Sequence, residues 1–480
     1  MNKLKQINNR EKLKTILLVF LFFSNLFFLF FNFNLINLDN LYINKFNDEE
    51  LNSLTRIAVK NTIKPSKTFL HFGKYSDIDE GNHTIIFEES YNLYDDLKPV
   101  IKKAFSKQLN IEEIDYEDYI NKRDKKSIEF QFKNALSYEF FELSLGLDDS
   151  NISKLQEIKQ ILIPILDDER VYIMTKDLKT YSIEAISQRE IEILSSKYYK
   201  ISESEYKRYY SIKYLYKINN NLLISIDNPE KLPYLTSKSI KDFDKEENIM
   251  FLAEQFLGSN LDFAKQIKET SGASSFIYGL GEKTLRISAG GDIEYKNESI
   301  QGHNKNLKEA YNSVVNWINK LNIDYSNLYI SDYEEIYINN NKLYKFVFDY
   351  KLNGYNIKSK ESDYALEIAA IKDDVYIFKS NIKTTGRVIY TDNGDNEKEQ
   401  ILNIDMILGK NLNLIKSIQG YLGFRDQEAS TYMFGSLKDV NIIYFESASD
   451  IYFPSWYIEI DDTYYIFDIY KGEVLKYGKL

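Results

Sequence analysis

The sequence predicts an α+β protein with a single N-terminal transmembrane helix, followed by a multi-domain extracytoplasmic ectodomain of antiparallel sheets with packed helices. Three observations carry that prediction. Residues Ile16 to Phe31 form an almost unbroken aliphatic and phenylalanine run behind a basic head. Beyond it, apolar residues switch repeatedly between helical spacing and the alternation of half-buried strands. The stretch from Asn37 to Leu480 is also too long for one ordinary core, and its length argues for about three domains.

Residues 1–14 are a basic cytoplasmic tail. Lys3, Lys5, Arg10, Lys12 and Lys14 stand against one acid, Glu11, which holds the N-terminus inside by the positive-inside bias. Residues 15–36 form the membrane helix, which from Ile16 to Ile36 measures about 32 Å, enough to cross the hydrocarbon core. A cleaved signal peptide needs a shorter apolar stretch and then small residues. Here the run continues into NFNLINLDNLYINKF, with large or polar residues at those positions, so the helix reads as an uncleaved anchor. No later span is comparable, so the chain crosses the cell membrane once.

Residues 37–64 are assigned to a membrane-proximal helix. Its pattern begins near 39, with Leu51, Leu54, Ile57 and Ile63 at roughly helical spacing and Pro65 as the stop. The N-terminal and middle α+β domains occupy 65–235. They open on a hairpin of TFLHFG and HTIIFE, followed by a helix over 94–109 with Leu97, Ile101, Ala104, Phe105 and Leu109 on one face. Strand-like runs SIEFQF and RVYIMT flank a predicted helix from Ile152 to Leu162. Asn228 to Lys245, with Pro229, Pro233 and clustered charges, reads as a linker.

A helix-plus-antiparallel-sheet unit follows over 246–390. It starts with a helix over roughly 248–269 carrying Leu252, Ala253, Phe256, Leu257, Phe263, Ala264 and Ile267. LRIS and DIEY around Ala289-Gly290-Gly291 form a hairpin. The clearest helix carries Leu307, Ala310, Tyr311, Val314, Val315, Ile318 and Leu321 on one stripe, with Trp317 beside it. Strands EEIYIN, KLYKFVFDYKL, ALEIAAI and VYIFKS come next. After a polar insert at 391–400, a second unit spans 401–480: a helix around Leu412, Ile415, Ile418 and Tyr421, then VNIIYFE, SWYIEI and TYYIFDIY. Asp373-Asp374-Val-Tyr-Ile-Phe parallels Asp461-Asp462-Thr-Tyr-Tyr-Ile-Phe, so the two units read as weak repeats, although Asp-Asp turns alone generate part of that match.

Composition narrows the functions. The chain has no cysteine, which removes disulfides, thiolate metal sites, cysteine nucleophiles and a lipoprotein anchor together. Its net charge is −11; without the head, 56 basic and 71 acidic residues leave −15, which disfavours nucleic acid. His71, His83 and His303 stand in no metal-ligand spacing, though His71 and His83 can approach across the first hairpin. Gly279-Leu280-Gly281-Glu282-Lys283-Thr284 fails as a phosphate loop, because Glu282 replaces a glycine and a hairpin follows. Asp77, Asp79, Gly81 and Glu88 make an imperfect calcium loop and read as a solvated turn. No catalytic residue, metal or cofactor is assigned. In the membrane helix Ser24 and Asn25 are polar groups in hydrocarbon; with Phe27 and Phe28 they offer a face for docking another membrane helix.

Several segments resemble the YycH family of Gram-positive bacteria, accessory proteins of the WalK/WalR (YycG/YycF) two-component system. They are PSKTFLHFG (from Pro65), FLAEQFLGSNLDFAKQI (from Phe251) with the following YGLGEKTLRISAGGDIEYKN, and FVFDYKLNGYNI. The terminal WYIEIDDTYYIFDIYKGEVLKYG is similar to the closing hairpin of PepSY-type and YycI-type domains, with Asp468 and Gly472-Glu473-Val474 in the expected places. The resemblance implies a non-enzymatic, single-pass protein that contacts a sensor histidine kinase and a YycI-like accessory protein and adjusts cell-wall metabolism. An anchored envelope ligand-binding protein is the alternative, and a wall hydrolase a more distant one.

Overall fold

The computed structural model describes Leu21 and residues 48–74, 82–87, 93–106, 111–147, 155, 157–165, 168–184, 187–198, 207–225, 227, 231–239, 245–300, 302, 306–339, 341–352, 354–360, 362, 364–371, 374–389, 401–446 and 451–480. The fold is mixed α+β with antiparallel sheets and packed helices. The expected span at 15–36 lies, Leu21 apart, outside the described residues. Among the described residues no helix is long and apolar enough to cross a membrane.

The N-terminal region contains α1 (Asp48–Thr62), β1 (Lys67–Lys74), β2 (Asn82–Phe87), α2 (Leu93–Ser106), β3 (Ile111–Ile114), α3 (Tyr116–Arg123), β4 (Lys126–Ser137), α4 (Tyr138–Leu145), β5 (Glu157–Pro164), β6 (Arg170–Thr175), β7 (Thr180–Glu184) and α5 (Gln188–Tyr198). Its seven strands pair antiparallel in the order β2-β1-β4-β5-β6-β7-β3. The predicted first hairpin is β1 with β2, and α2 buries Leu97, Ile101, Ala104 and Phe105 as expected.

Two expected helices are corrected here. The helix expected from Ile152 to Leu162 is a strand over its described part: β5 occupies 157–164 between β4 and β6. Its ILIPI run is buried on both faces. Ile161 and Ile163 join the main core, while Leu162 packs with Tyr119, Tyr172 and Met174. A strand covered on both sides loses the alternation that distinguishes it from a buried helix. The described part of the membrane-proximal helix, α1, is faced differently than predicted. Thr55, Ala58, Val59, Thr62 and Ile63 are buried, whereas Ile57 is 49% exposed.

A crossover of β8 (Tyr210–Ser211), α6 (Ile212–Tyr216), β9 (Leu223–Ile224) and β10 (Tyr234–Ser239) leads to the C-terminal region. The expected linker is thus partly a strand, with β10 paired to segments within 383–389 and 451–460. The C-terminal region holds α7 (Glu246–Leu257), β11 (Lys265–Lys268), β12 (Ser274–Tyr278), β13 (Lys283–Ile287), β14 (Ile293–Asn297), α8 (Leu307–Lys320), β15 (Leu328–Ile338), β16 (Asn341–Leu352), β17 (Tyr355–Ser359), β18 (Leu366–Ile371), β19 (Asp374–Ser380), β20 (Lys383–Ile389), α9 (Ile404–Lys410), α10 (Leu412–Gln419), α11 (Asp426–Gly435), β21 (Leu437–Glu446), β22 (Ile451–Ile460), β23 (Thr463–Asp468) and β24 (Val474–Lys479). The helix expected to reach 269 stops at Leu257. Gly258, at φ +55°, turns the chain into a 3₁₀ segment and then β11, leaving Phe263 exposed. The helix expected around 412–421 is α10, which ends at Gly420 with φ +80°, and the short helices α9 and α11 flank it.

These elements form three units of one plan, a helix followed by four strands pairing in sequence. They are α7 with β11-β12-β13-β14, α8 with β15-β16-β18-β19, and α9–α11 with β21-β22-β23-β24. The stretch 246–390, expected as one unit, holds the first two of these, and the third lies within 401–480. The sequence match that prompted the expectation is one hairpin out of phase. Asp374 opens β19, the fourth strand of its unit, whereas Asp461-Asp462 precedes β23, the third of its own. Shared turn chemistry, not equivalent position, made the two fragments alike. Antiparallel pairing of β14 with β19 and parallel pairing of β17 with β21 join all three into one fifteen-stranded sheet.

One apolar core runs from Ala58 in α1 to Tyr452 in β22, so the two regions share an interior. α4 inserts Phe140 between Tyr311, Tyr333 and Phe346, at ring separations of 5.5, 4.9 and 6.1 Å. α1 lies against α8: Thr55 donates to Asn312 at 3.0 Å, and Thr62 and Tyr311 share a short hydrogen bond.

Candidate functional site

Alternation along β1 and β4 gives the N-terminal sheet a polar face. Ile128, Phe130 and Phe132 point into the main core, so Glu129, Gln131 and Lys133 point the other way. On β1 the partners are Lys67, Phe69 and His71, with Lys67 opposite Gln131 and Phe69 opposite Glu129. This face is closed at its two ends by different parts of the chain.

At the His71 end, α3 forms the lid, packed over β5 and β6 through Tyr119 and Ile120. His71 Nε2 lies 2.9 Å from Glu129 Oε2, and its Nδ1 lies 2.8 Å from Thr84 Oγ1. Tyr119 donates to Glu129 Oε1 at 3.1 Å, and Tyr198 donates to the His71 carbonyl at 2.7 Å. The two ionisable side chains are only 5% and 3% exposed. Burial pushes the imidazole pKa down, and Glu129 only partly offsets it. Burial pushes the Glu129 carboxyl up, but the His71 and Tyr119 hydrogen bonds and the Arg123 charge hold it below its ordinary value. The arrangement is therefore a neutral imidazole donating from Nε2 to an ionised carboxylate, with Nδ1 accepting from the Thr84 hydroxyl. Every polar atom of the pair is used internally.

At the Lys133 end the lid is the C-terminal sheet. Lys133 pairs with Asp349 of β16, and Lys67 pairs with Asp439 of β21 at 2.7 Å. Asp349 is 2% exposed; it also accepts from Tyr329 at 3.2 Å and pairs with Lys358 at 3.4 Å. Burial pushes its carboxyl up, yet Lys133 and Lys358 outweigh that and hold it well below the carboxylate range. Asn441 donates to Asp439 at 2.6 Å, and Tyr457 donates to Glu459 at 2.7 Å. Lys159 of β5 lies alongside, its ammonium donating to the Lys133 carbonyl. Water reaches this end: the side chains of Lys133 and Asp439 are 36% and 32% exposed.

Of the residues singled out from the sequence, His71 lies on this face. Lys3, Lys5, Arg10, Lys12, Lys14, Ser24, Asn25, Phe27 and Phe28 lie outside the described residues, as do Asp77, Asp79, Gly81, Glu88 and His303. His71 pairs with Thr84 in the hairpin register, and no contact of the His83 side chain is described. Gly279 to Glu282 form the tight turn between β12 and β13, with strands on both sides. Among the described residues no group of three or more His, Asp or Glu is placed to hold a metal ion. The seam residues were not singled out. Charges at regular intervals inside apolar strands, as in SIEFQFK and FVFDYKL, were the available signal.

No protein-family profile and no curated protein matches the chain. A solved structure, the Bacillus megaterium YpeB C-terminal domain, is similar at 14% sequence identity, covering 49% of this chain and 97% of that chain with a TM-score of 0.27. That likeness bears no argument about function, and the resemblance to the YycH family stands on the sequence segments alone.

Proposed function

We propose that this chain is a membrane-anchored, extracytoplasmic regulatory protein that acts by contact. In this reading the N-terminal helix, through Ser24, Asn25, Phe27 and Phe28, packs against the membrane helices of a sensor histidine kinase. The remainder engages the kinase and a YycI-like accessory protein, tuning two-component signalling that controls cell-wall metabolism. The observation that carries it is the place of α1. This helix follows the apolar run closely in sequence and is held between the two folded regions, by Lys60 against Asp95 of α2 and by Thr55 and Thr62 against α8. A partner that shifts the anchor therefore acts on the joint between those regions. Regulation by such a device requires different affinities for two kinase arrangements.

The test is co-purification from membranes. The full chain should capture a histidine kinase, and replacing residues 15–36 by an unrelated membrane span should abolish capture while leaving the protein in the membrane. Equal capture with the substituted span would overturn the role given to the anchor. Capture of no kinase by either form would remove the regulatory reading.

A further inference from the structure

The Lys133 end of the polar face holds one more cation than its direct ion pairs use. Lys67 has Asp439 and Lys133 has Asp349, which Lys358 also draws upon. Glu459 already accepts from Tyr457. Lys159 has no carboxylate within ion-pair distance among the described residues, and its only described hydrogen bond is to the Lys133 carbonyl. Its side chain is partly buried, with Lys133 on the adjacent strand and Lys67 on the strand beyond it. Burial is the main effect that disfavours its charge; Asp439 and Glu459 partly compensate, and Lys133 and Lys67 add smaller effects in the direction of burial.

We propose that this seam is a binding site for a phosphate-class oxyanion, held chiefly by Lys159 and Lys133 with Lys67 at its margin. Lysine ammoniums recognise phosphate as compact point charges, and several around one anion share its oxygens. The seam has the two properties such a site needs: solvent reaches Lys133 directly, and the adjoining Asp349 is sealed and already satisfied. Because the chain as a whole is acidic, diffuse attraction of anions is disfavoured, so a response confined to these lysines is specific to the seam. The same chemistry is offered by free phosphate and by a phosphodiester within a polymer or lipid.

The full chain is titrated with inorganic phosphate, and separately with bis(glycerol) phosphate, at constant ionic strength set by chloride, and binding is read from phosphorus NMR line broadening. Saturable broadening is expected; Lys159→Met should weaken it about tenfold, while Lys159→Arg should stay within about threefold of the parent. Response to both probes assigns a phosphodiester-bearing ligand, and response to inorganic phosphate alone assigns the free ion. Absence of saturable broadening, or an adventitious effect unchanged in Lys159→Met, overturns the proposal. So does a Lys159→Met protein that melts higher than the parent and a parent indifferent to phosphate, because Lys159 is then only a desolvated like charge.

Discussion

One face of β1 and β4 carries buried charge at both ends, and the ends are closed in opposite ways. At His71 the lid belongs to the same sheet's own connections: α3 is the segment between β3 and β4. At Lys133 the lid is a distant sheet, and the Lys67–Asp439 pair joins residues 372 positions apart. The local lid seals its pair almost completely, while the distant lid leaves a third of Lys133 and Asp439 in water. Burial by neighbours in sequence thus gives a stability element here, and burial by a remote region gives an accessible seam.

The sharpest test is Glu129→Ala. It strips His71 Nε2 and the Tyr119 hydroxyl of their acceptor where water cannot substitute, and should cost about 3 kcal/mol in denaturant unfolding. A loss below about 1 kcal/mol would mean that the His71 end is as open as the other. Asp349→Asn should come next, at about 2 kcal/mol, since Lys133 loses its counter-charge but remains partly hydrated. If it cost more than Glu129→Ala, the contrast between the lids would be reversed.

Acid separates the two ends by onset. A histidine whose pKa is lowered on folding takes up its proton more readily when unfolded, so its contribution is intact above pH 6.5, the ordinary value, and erodes as pH falls toward the folded pKa. Glu129, Asp349 and Asp439 are lowered carboxylates; their contributions are complete above the ordinary values of 4.5 and 3.8 and fade below them. Stability should therefore begin to fall below pH 6.5, and His71→Gln should remove that first decline while leaving the steeper one near pH 4. An unchanged profile in His71→Gln would move the early titration to another group. The smallest effect belongs to Lys67→Met, at about 0.5 kcal/mol and diminishing with added salt, as for a pair in contact with solvent.

Much of this architecture was legible in the residues because the relevant patterns were local. The stripe of α8, the β1–β2 hairpin and the glycine turn between β13 and β14 each depend on neighbours within about fifteen positions. β5 was misread because both its faces are covered, which erases the period of two. The end of α7 was misread because apolar residues continue past Gly258 into a segment that leaves Phe263 in solvent. The polar face was half legible: alternation in SIEFQFK places Glu129, Gln131 and Lys133 together, but nothing near them announces that β21 will close over one end. Pairings of that range are decided by tertiary packing, and periodicity does not record them.

Among the described strands the pairing of β17 with β21 is the only parallel one. It also has a consequence for the order of events in synthesis. Each four-strand meander consists of sequential neighbours and can close soon after its last strand leaves the ribosome. Asn356 to Ser359 must wait for Ile443 to Glu446, with the strands β18 to β20, the helices α9 to α11 and the polar insert still to be made. During that interval β17 presents an unfinished border to any chaperone, protease or second nascent chain. Closure of that border is thus timed by translation of β21, and a pause in synthesis before residue 440 would expose it for longest.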